Sequence, residues 1–316
     1  MSGQVVSLDK PFERIGVKQV AGRIGAEVSG VRLSGSLDRE TFAEIERALL
    51  RHKVIFVRDQ DHLDNAEHEA FGALFGKVVA HPTVPAPKDT RILELNSQGG
   101  GGRADSWHTD VTFVQAFPKV SVLRAITVPA FGGDTVWANS VAAYEQLSPA
   151  LKQLAEQLWA IHTNDYDYAA TRDDFEAERL KHHENVFVSK VFEAEHPVVH
   201  VHPQTGERSL LLGHFIKKLI GLPTADSIRI FDILQNRSVR LENTVRWRWK
   251  ANDVAIWDNR STQHYAINDY GDAKRLMRRV TIEGDAAVSI TGERSRTRRR
   301  PEAVNDDGLR AAIAAS

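Results

Sequence analysis

Cysteine does not occur anywhere in the 316 residues, which excludes disulfides, thiolate catalysis and Cys-ligated zinc or iron–sulfur centres. Any metal must therefore be held by His, Asp and Glu, which favours Fe, Mn, Zn, Ni or Cu with nitrogen and oxygen ligands. An excess of either charge is also missing. Lys+Arg 41 against Asp+Glu 42 leaves a net charge of −1, so no global basic field points to nucleic acid. An anionic substrate has to be met by a local cluster of Arg or His. No stretch approaches the ~18–20 apolar residues of a membrane span, and residues 1–20 lack the apolar segment of a secretory signal. The expected location is the cytoplasm, with neither membrane nor nucleic acid as partner. Low-complexity tracts and internal repeats are absent too.

What is present, 42% hydrophobic and 26% charged residues, fits an ordinary globular protein. One domain is expected over 1–316, with a core at about 15–285 and a basic, polar tail over 286–316. In 38–52, Phe42, Ile45 and Leu49 recur at helical spacing, and 53–57 (KVIFV) follows as a buried strand. Asp64-Asn65-Ala66-Glu67 forms a capping box for a helix to about Phe75. Ser148-Pro149 starts a helix through Trp159. A further helix over 225–236 has Ile228, Phe231, Ile233 and Leu234 as its apolar side.

Strand patterns fill the gaps between these helices. Residues 197–202 and 209–212 flank a Pro203-Gln204-Thr205-Gly206 turn. Val245, Trp247 and Trp249 alternate with Arg246, Arg248 and Lys250. Residues 254–257 and 276–282 add two more strands. Strands from about 16 to 285 without βαβ regularity predict a β-rich antiparallel sandwich or jelly roll, with helices on one side. Gly99–Gly102, just before His108, reads as a mobile lid.

His108-Thr109-Asp110 carries the chemistry. On a strand the two side chains share a face, and with a distant His they complete a facial triad that leaves three metal positions open. His-x-Asp alone is weak: with 13 His, about one chance occurrence is expected, and His62-Leu63-Asp64 is a second copy. That copy has a structural use, since Asp64 caps the next helix. His108-Thr109-Asp110 has none. It follows the Gly-rich loop and enters the apolar run 111–114 at the edge of a strand. His264 lies beyond the strand and polar turn of 253–260. Arg275 and Arg279 follow at a spacing that puts both on one strand face, about 13 Å apart. Two arginines on a face turned inward suit a cavity holding two anions. Arg278 points the other way.

These residues resemble the taurine dioxygenase family of Fe(II)/2-oxoglutarate-dependent dioxygenases. The resemblance rests on Trp107–Phe113 (WHTDVTF), Gly132-Gly133-Asp134-Thr135 and Trp257-Asp258-Asn259-Arg260, with His264, Arg275 and Arg279. It spans roughly residues 15–285 and is nearest to the alkylsulfatase branch, a match that 54–58, 80–85 and 242–249 strengthen. The family implies a double-stranded β-helix (jelly roll) core with flanking α-helices, and Fe(II), 2-oxoglutarate and O2 as metal and co-substrates. It implies His108, Asp110 and His264 as metal ligands and no catalytic residue beyond that centre. It implies Thr135 and Arg275 on the distal carboxylate of 2-oxoglutarate. Arg279 would contact both the inner carboxylate and the substrate's sulfo group, with His81 and Val111 also at the substrate. Arg275 has independent support, because a planar guanidinium suits a carboxylate better than an ammonium does. Trp107 and Trp257 read as packing neighbours. A homodimer or homotetramer is the family habit.

Val84 and Ala104 are apolar where taurine enzymes carry polar groups, so a buried ammonium would go unpartnered and an alkyl chain on sulfate fits better. The implied reaction hydroxylates the carbon bearing the sulfate of an alkyl sulfate, giving aldehyde and inorganic sulfate, with succinate and CO2. Taurine or another sulfonate, an aryloxyalkanoate, a zinc hydrolase and a non-catalytic anion-binding jelly roll are the alternatives. Asn252 stands where the motif commonly has Gly, a change that Asn's tolerance of left-handed backbone absorbs.

Overall fold

The structure is a computed structural model that describes residues 7–84, 86–87, 89–98, 104–165 and 191–300. The chain begins with β1 (Gly16–Gln19), β2 (Ala26–Ser29), α1 (Arg39–His52) and β3 (Val54–Val57). Next come α2 (Asn65–Leu74), β4 (Val78–Val79), β5 (Leu93–Asn96), β6 (Val120–Thr127) and β7 (Thr135–Asn139). These lead into α3 (Ser140–Glu145), α4 (Pro149–Gln157) and β8 (Trp159–Thr163). Beyond residue 190 lie β9 (Glu193–Pro197), β10 (Val199–Val201), β11 (Arg208–Leu210), β12 (Ile216–Leu219) and α5 (Thr224–Ser238). β13 (Thr244–Trp247), β14 (Val254–Asp258), β15 (Thr262–Ala266) and β16 (Leu276–Ile282) follow. The last strands are β17 (Val288–Ser289) and β18 (Arg296–Arg299).

The large sheet runs β1-β2-β3-β14-β6-β16-β4, with β5 also on β16. Its pairs are antiparallel except β2 with β3. Strand alternation gives it two apolar faces. Ile55, Val57, Val122, Val254, Ile256 and Val280 pack under α1 and α2, through Ile45, Leu49 and Phe71. Val54, Phe56, Leu123, Ala255, Trp257 and Met277 face inward onto Trp137, Val245 and Trp247 of the β13-β7-β15 sheet. A sandwich results, and its interior aromatics interlock: Phe56 stacks on Trp247 at 4.0 Å and meets Trp137 edge-on at 5.4 Å. The β12-β8-β9-β18 and β11-β10-β17 sheets extend the molecule alongside a third apolar cluster.

Most expected elements form for the expected reasons. Asp38 caps α1 by accepting from the Thr41 amide at 3.0 Å, and Asp64 caps α2 by accepting from the Glu67 amide at 2.8 Å. The reciprocal half of the α2 capping box is not made, because Glu67 accepts from the Gly35 amide instead. The 203–206 turn does join β10 and β11 in register, Val199 opposite Leu210.

Five expectations need correction. Helix α4 stops at Gln157, and Trp159 opens β8 instead. On α5, Ile228 and Ile233 are 55% and 47% exposed, and Ile230, Phe231 and Leu234 make the packed face. Helices are not on one side: α1 and α2 cover the large sheet, whereas residues of α3 to α5 pack with β8, β10, β11 and β12. Residues 111–114 form a turn rather than a strand. Residues 286–300 are not a loose tail, since β17 pairs with β10 and β18 with β9. Residues 301–316 and the Gly99–Gly102 segment lie outside the described residues. Among the described residues, no helix is long and apolar enough to cross a membrane.

Candidate metal centre

His108, Asp110 and His264 come together from distant parts of the chain. β15 carries His264, and residue 108 adds one antiparallel bridge to it, with His108 and His264 exchanging backbone hydrogen bonds at 3.1 and 2.8 Å. A residue pair that exchanges both bonds sets its side chains near each other, and the two imidazole centroids are 4.0 Å apart. Asp110 is delivered by a turn, not by strand alternation. Val111 behind it has φ +58°, a strained left-handed conformation for a β-branched residue. The carboxylate Oδ1 lies 3.7 Å from His108 Nε2 and 3.9 Å from His264 Nε2. One donor atom from each of the three residues fits within a 4.8 Å span.

The donors fit a divalent ion chemically. His108 Nδ1 donates to the Ser106 carbonyl at 2.8 Å, which fixes the tautomer and leaves Nε2 with its lone pair toward Asp110. His264 Nδ1 is buried without a hydrogen-bond partner among the described residues. Burial pushes both imidazole pKa values down, keeping them neutral, as metal ligands must be. Burial works the opposite way on Asp110, but Arg279, His264 and His108 outweigh it and hold the carboxyl below its ordinary range. Two neutral imidazoles, one carboxylate and no thiolate make a hard to borderline site.

Two groups of anion donors flank this triad. Deep in the sandwich, Thr135 Oγ1 accepts from Trp249 Nε1 at 3.0 Å and from Arg275 Nη2 at 3.4 Å. With both lone pairs of the hydroxyl engaged, its proton is left to donate outward. Arg275 Nε is anchored on the Gly133 carbonyl at 3.0 Å. Gly132 and Gly133 both have φ near +70°, and a Cβ on Gly133 would meet Arg275 Cδ at 3.2 Å, so the glycines admit the guanidinium. Arg279 makes the second group. It is 6% exposed, donates through Nη1 to Asp110 Oδ1 at 2.5 Å, and has no partner for Nε among the described residues. Arg278 turns the other way, to Glu94 and Asn65, as its register requires.

His81 and Val111 also reach this side. His81 Nδ1 accepts from the Thr83 and Val84 amides at 3.3 and 3.2 Å, so the neutral ring carries its proton on Nε2 as a donor. Burial lowers its pKa to about 3; the charge of Arg279 adds to this and Asp110 opposes it, which puts His81 within their field. Its ring lies 6.3 Å from Phe113. Val111, Phe113 and Phe215 form a small apolar cluster, with Val114 and Phe192 beside it. Trp257 packs against His264 at 4.9 Å, as a neighbour.

Residues that the sequence did not single out hold the site in shape. Asn259 clasps Asp110 by its backbone: Oδ1 accepts from the Asp110 amide at 2.9 Å, and Nδ2 donates to its carbonyl at 3.1 Å. Ser121 Oγ donates to Asp110 Oδ2 at 3.2 Å. Gly213 passes so close to the His108 backbone that a Cβ would sit 3.0 Å from its Cα. Asn259 had a signal, its place in the motif ending at Arg260. Ser121 and Gly213 had none, because their roles depend on tertiary proximity.

The chain is similar to known proteins. The profile of the taurine catabolism dioxygenase TauD, TfdA family matches residues 16–281. An alpha-ketoglutarate-dependent (2-oxoglutarate-dependent) sulfate ester dioxygenase from Pseudomonas putida is 56% identical over 284 residues, covering 90% of this chain and 94% of that protein. An alkylsulfatase from Acinetobacter baylyi is 53% identical over 291 residues, covering 92% of both. The crystal structure of a taurine dioxygenase from Burkholderia xenovorans superposes with a TM-score of 0.76 at 34% identity, covering 91% of this chain and 97% of that one. With the His-Asp-His cluster and jelly-roll architecture, these matches identify the chain as a member of the TauD, TfdA family of Fe(II)- and 2-oxoglutarate-dependent dioxygenases.

Proposed function

We propose that the chain oxidises alkyl sulfate esters, hydroxylating the carbon that bears the sulfate and releasing an aldehyde and inorganic sulfate. His108, Asp110 and His264 hold the Fe(II). Fe(II), with 2-oxoglutarate and O2, supplies the oxidising power for that C–H bond, and succinate and CO2 are the co-products. Thr135 and Arg275 bind the distal carboxylate of 2-oxoglutarate, with hydroxyl and guanidinium already oriented by Trp249 and Gly133. Arg279 reaches the inner carboxylate and the sulfo group. His81 gives the sulfo group a second donor from Nε2, and Val111 lines the ester side. Anchoring the anion fixes how far its first carbon lies from the metal, which is the positioning the reaction needs.

The observation that carries this reading is the placement of two separate anion-donor groups around one triad. The sulfate ester rather than a sulfonate is favoured by the relatives at 56% and 53% identity, named for sulfate ester and alkyl sulfate chemistry. The apolar Val84 and Ala104 and the Val111–Phe113–Phe215 cluster favour it as well. Turnover on hexyl sulfate and on taurine tests the substrate: a preference for taurine by more than about tenfold, or about 1.4 kcal/mol, overturns it. Sulfate release without oxygen would instead mark a hydrolase. The same reading expects a cytoplasmic homodimer or homotetramer, a number that light scattering on the eluting protein gives.

A further inference from the structure

Buried histidines contact Thr112 in the metal-bearing turn, and the mechanism uses none of them. His196 on β9 is wholly buried. Its Nε2 contacts the Thr112 carbonyl at 2.7 Å and its Nδ1 contacts Ser295 Oγ at 2.6 Å. A carbonyl only accepts, so Nε2 carries the proton, and in the neutral ring Nδ1 accepts from the serine hydroxyl. Burial pushes His196 down to about 4, which keeps it in that neutral form. His162 on β8 meets the Thr112 hydroxyl at 2.9 Å through Nδ1. Thr112 is thus gripped at both its carbonyl and its side chain, two residues after Asp110 and one after the strained Val111.

The far end of this chain of contacts is the segment after β16. Ser295 is 1% exposed, and its amide donates to the Ala287 carbonyl at 2.9 Å. Its own carbonyl accepts from Gln115 Nε2 at 2.8 Å, and Thr297 Oγ1 donates to Gln115 Oε1 at 3.0 Å. Ala287 packs on Phe117, with Val114 beside them. The segment therefore touches the 110–117 stretch through polar contacts at Gln115, apolar contacts at Val114 and Phe117, and His196 as intermediary at Thr112. It lies beyond residue 281, where the family profile ends.

We propose that residues 287–297 form a strap whose task is to hold the metal-ligand turn, with Ser295 and His196 as positioning residues for Asp110. A left-handed Val111 persists only where its surroundings over-determine it. Asn259 holds the backbone of Asp110 before the strained residue, and the Thr112 peptide has to be held after it. The strap supplies that hold. The inference rests on the ligand assignment made above for His108, Asp110 and His264.

Titrating the metal-free full chain with Co(II), followed by the ion's visible absorption, tests the strap without any turnover. Outer contacts of this kind are typically worth about 10–100-fold in metal affinity. Ser295→Ala is expected to weaken Co(II) by about tenfold, and Gln115→Ala to weaken it in the same direction. Ile45→Val, on the buried side of α1 against the outer face of the large sheet, should lower the melting temperature and leave Co(II) affinity at the wild-type value. If Ser295→Ala does not fold, the half-exposed Gln115 site decides. Wild-type affinity in the folded variants overturns the strap alone, as does an equal weakening in Ile45→Val. A wild-type chain that binds no Co(II) overturns both the ligand assignment and the strap.

Discussion

The chain contains His-x-Asp twice, at 62–64 and at 108–110, and the two copies behave differently. At the first, His62 Nε2 contacts the Leu33 carbonyl at 2.7 Å, and Asp64 accepts from the Glu67 amide to cap α2. Both side chains are spent on backbone groups, one 29 residues away and one three residues on, and Asp64 faces solvent. At the second, the backbone is held by other groups. Asn259 binds the amide and carbonyl of Asp110, and the His108 backbone pairs with His264. Among the described residues, the Asp110 carboxylate accepts from Ser121 on β6 and Arg279 on β16, and His108 presents Nε2 to it. At the second copy the ligand-type side chains are left available to a metal because other groups satisfy the backbone that carries them.

Exchanging each copy for alanine gives the largest contrast. His108→Ala is expected to abolish Fe(II)-dependent succinate formation, since two donors cannot complete a facial site. His62→Ala should retain activity close to wild type, having lost one contact to a carbonyl. Equal losses from the two variants, measured with saturating Fe(II) and 2-oxoglutarate, would mean that the wrong pair was assigned to the metal.

Buried neutral histidines lie beside both copies, His68 on α2 next to the first and His196 next to the second, and pH exposes them. Burial holds His68, His196 and His200 at about 4, against an ordinary value of 6.5. Above pH 6.5 neither folded nor unfolded chain protonates them, so they do not affect stability there. Between 6.5 and about 4 only the unfolded chain takes up their protons, and stability falls as pH drops, by about 1.4 kcal/mol per pH unit for each. Urea midpoints of the metal-free protein should decline over this window. A midpoint that stays flat from pH 6.5 to 5 would show that these rings are not held neutral.

The sequence was most informative where a pattern repeats locally, and least where the structure depends on a distant partner. Phe42, Ile45 and Leu49 announce α1 by period alone, and Val245, Trp247 and Trp249 announce an inward strand face. The order and spacing of His108, Asp110 and His264 singled them out, and the fold does bring the three together. The 110–113 turn was not legible: apolar Val111–Val114 reads as a strand, and His162 on β8, His196 on β9 and Asn259 in the turn after β14 hold it otherwise. The basic run at 294–300 failed for a related reason. Arg298 pairs with Glu193 and Glu195 of β9, acidic residues about a hundred positions away, which makes an ordered edge strand of what looks like a tail.

Asn259→Ala tests whether backbone support is what separates the two copies. The variant frees the amide and carbonyl of Asp110 while leaving all three ligands in place. Support of this sort is typically worth about 10–100-fold in metal affinity or activity. The expected result is a raised Fe(II) requirement for succinate formation, with most of the activity restored at high Fe(II). A variant with an unchanged Fe(II) requirement would locate the difference between the copies elsewhere, in the strain at Val111 or in His264 alone.

Asp64→Ala is the quietest of these changes and the most specific to the first copy. The aspartate accepts one amide at the first turn of α2, and losing an N-cap costs about 1 kcal/mol. The expected outcome is a small drop in the urea midpoint, together with an unchanged Fe(II) requirement and unchanged turnover. Asp64→Ser should recover most of the stability, because a hydroxyl at the N-cap accepts the same amide. The corresponding change at the second copy, Asp110→Ser, cannot recover metal binding, since a neutral hydroxyl is a poor ligand beside two imidazoles. Serine thus rescues one aspartate and not the other, because one is needed for its place on the backbone and the other for its charge.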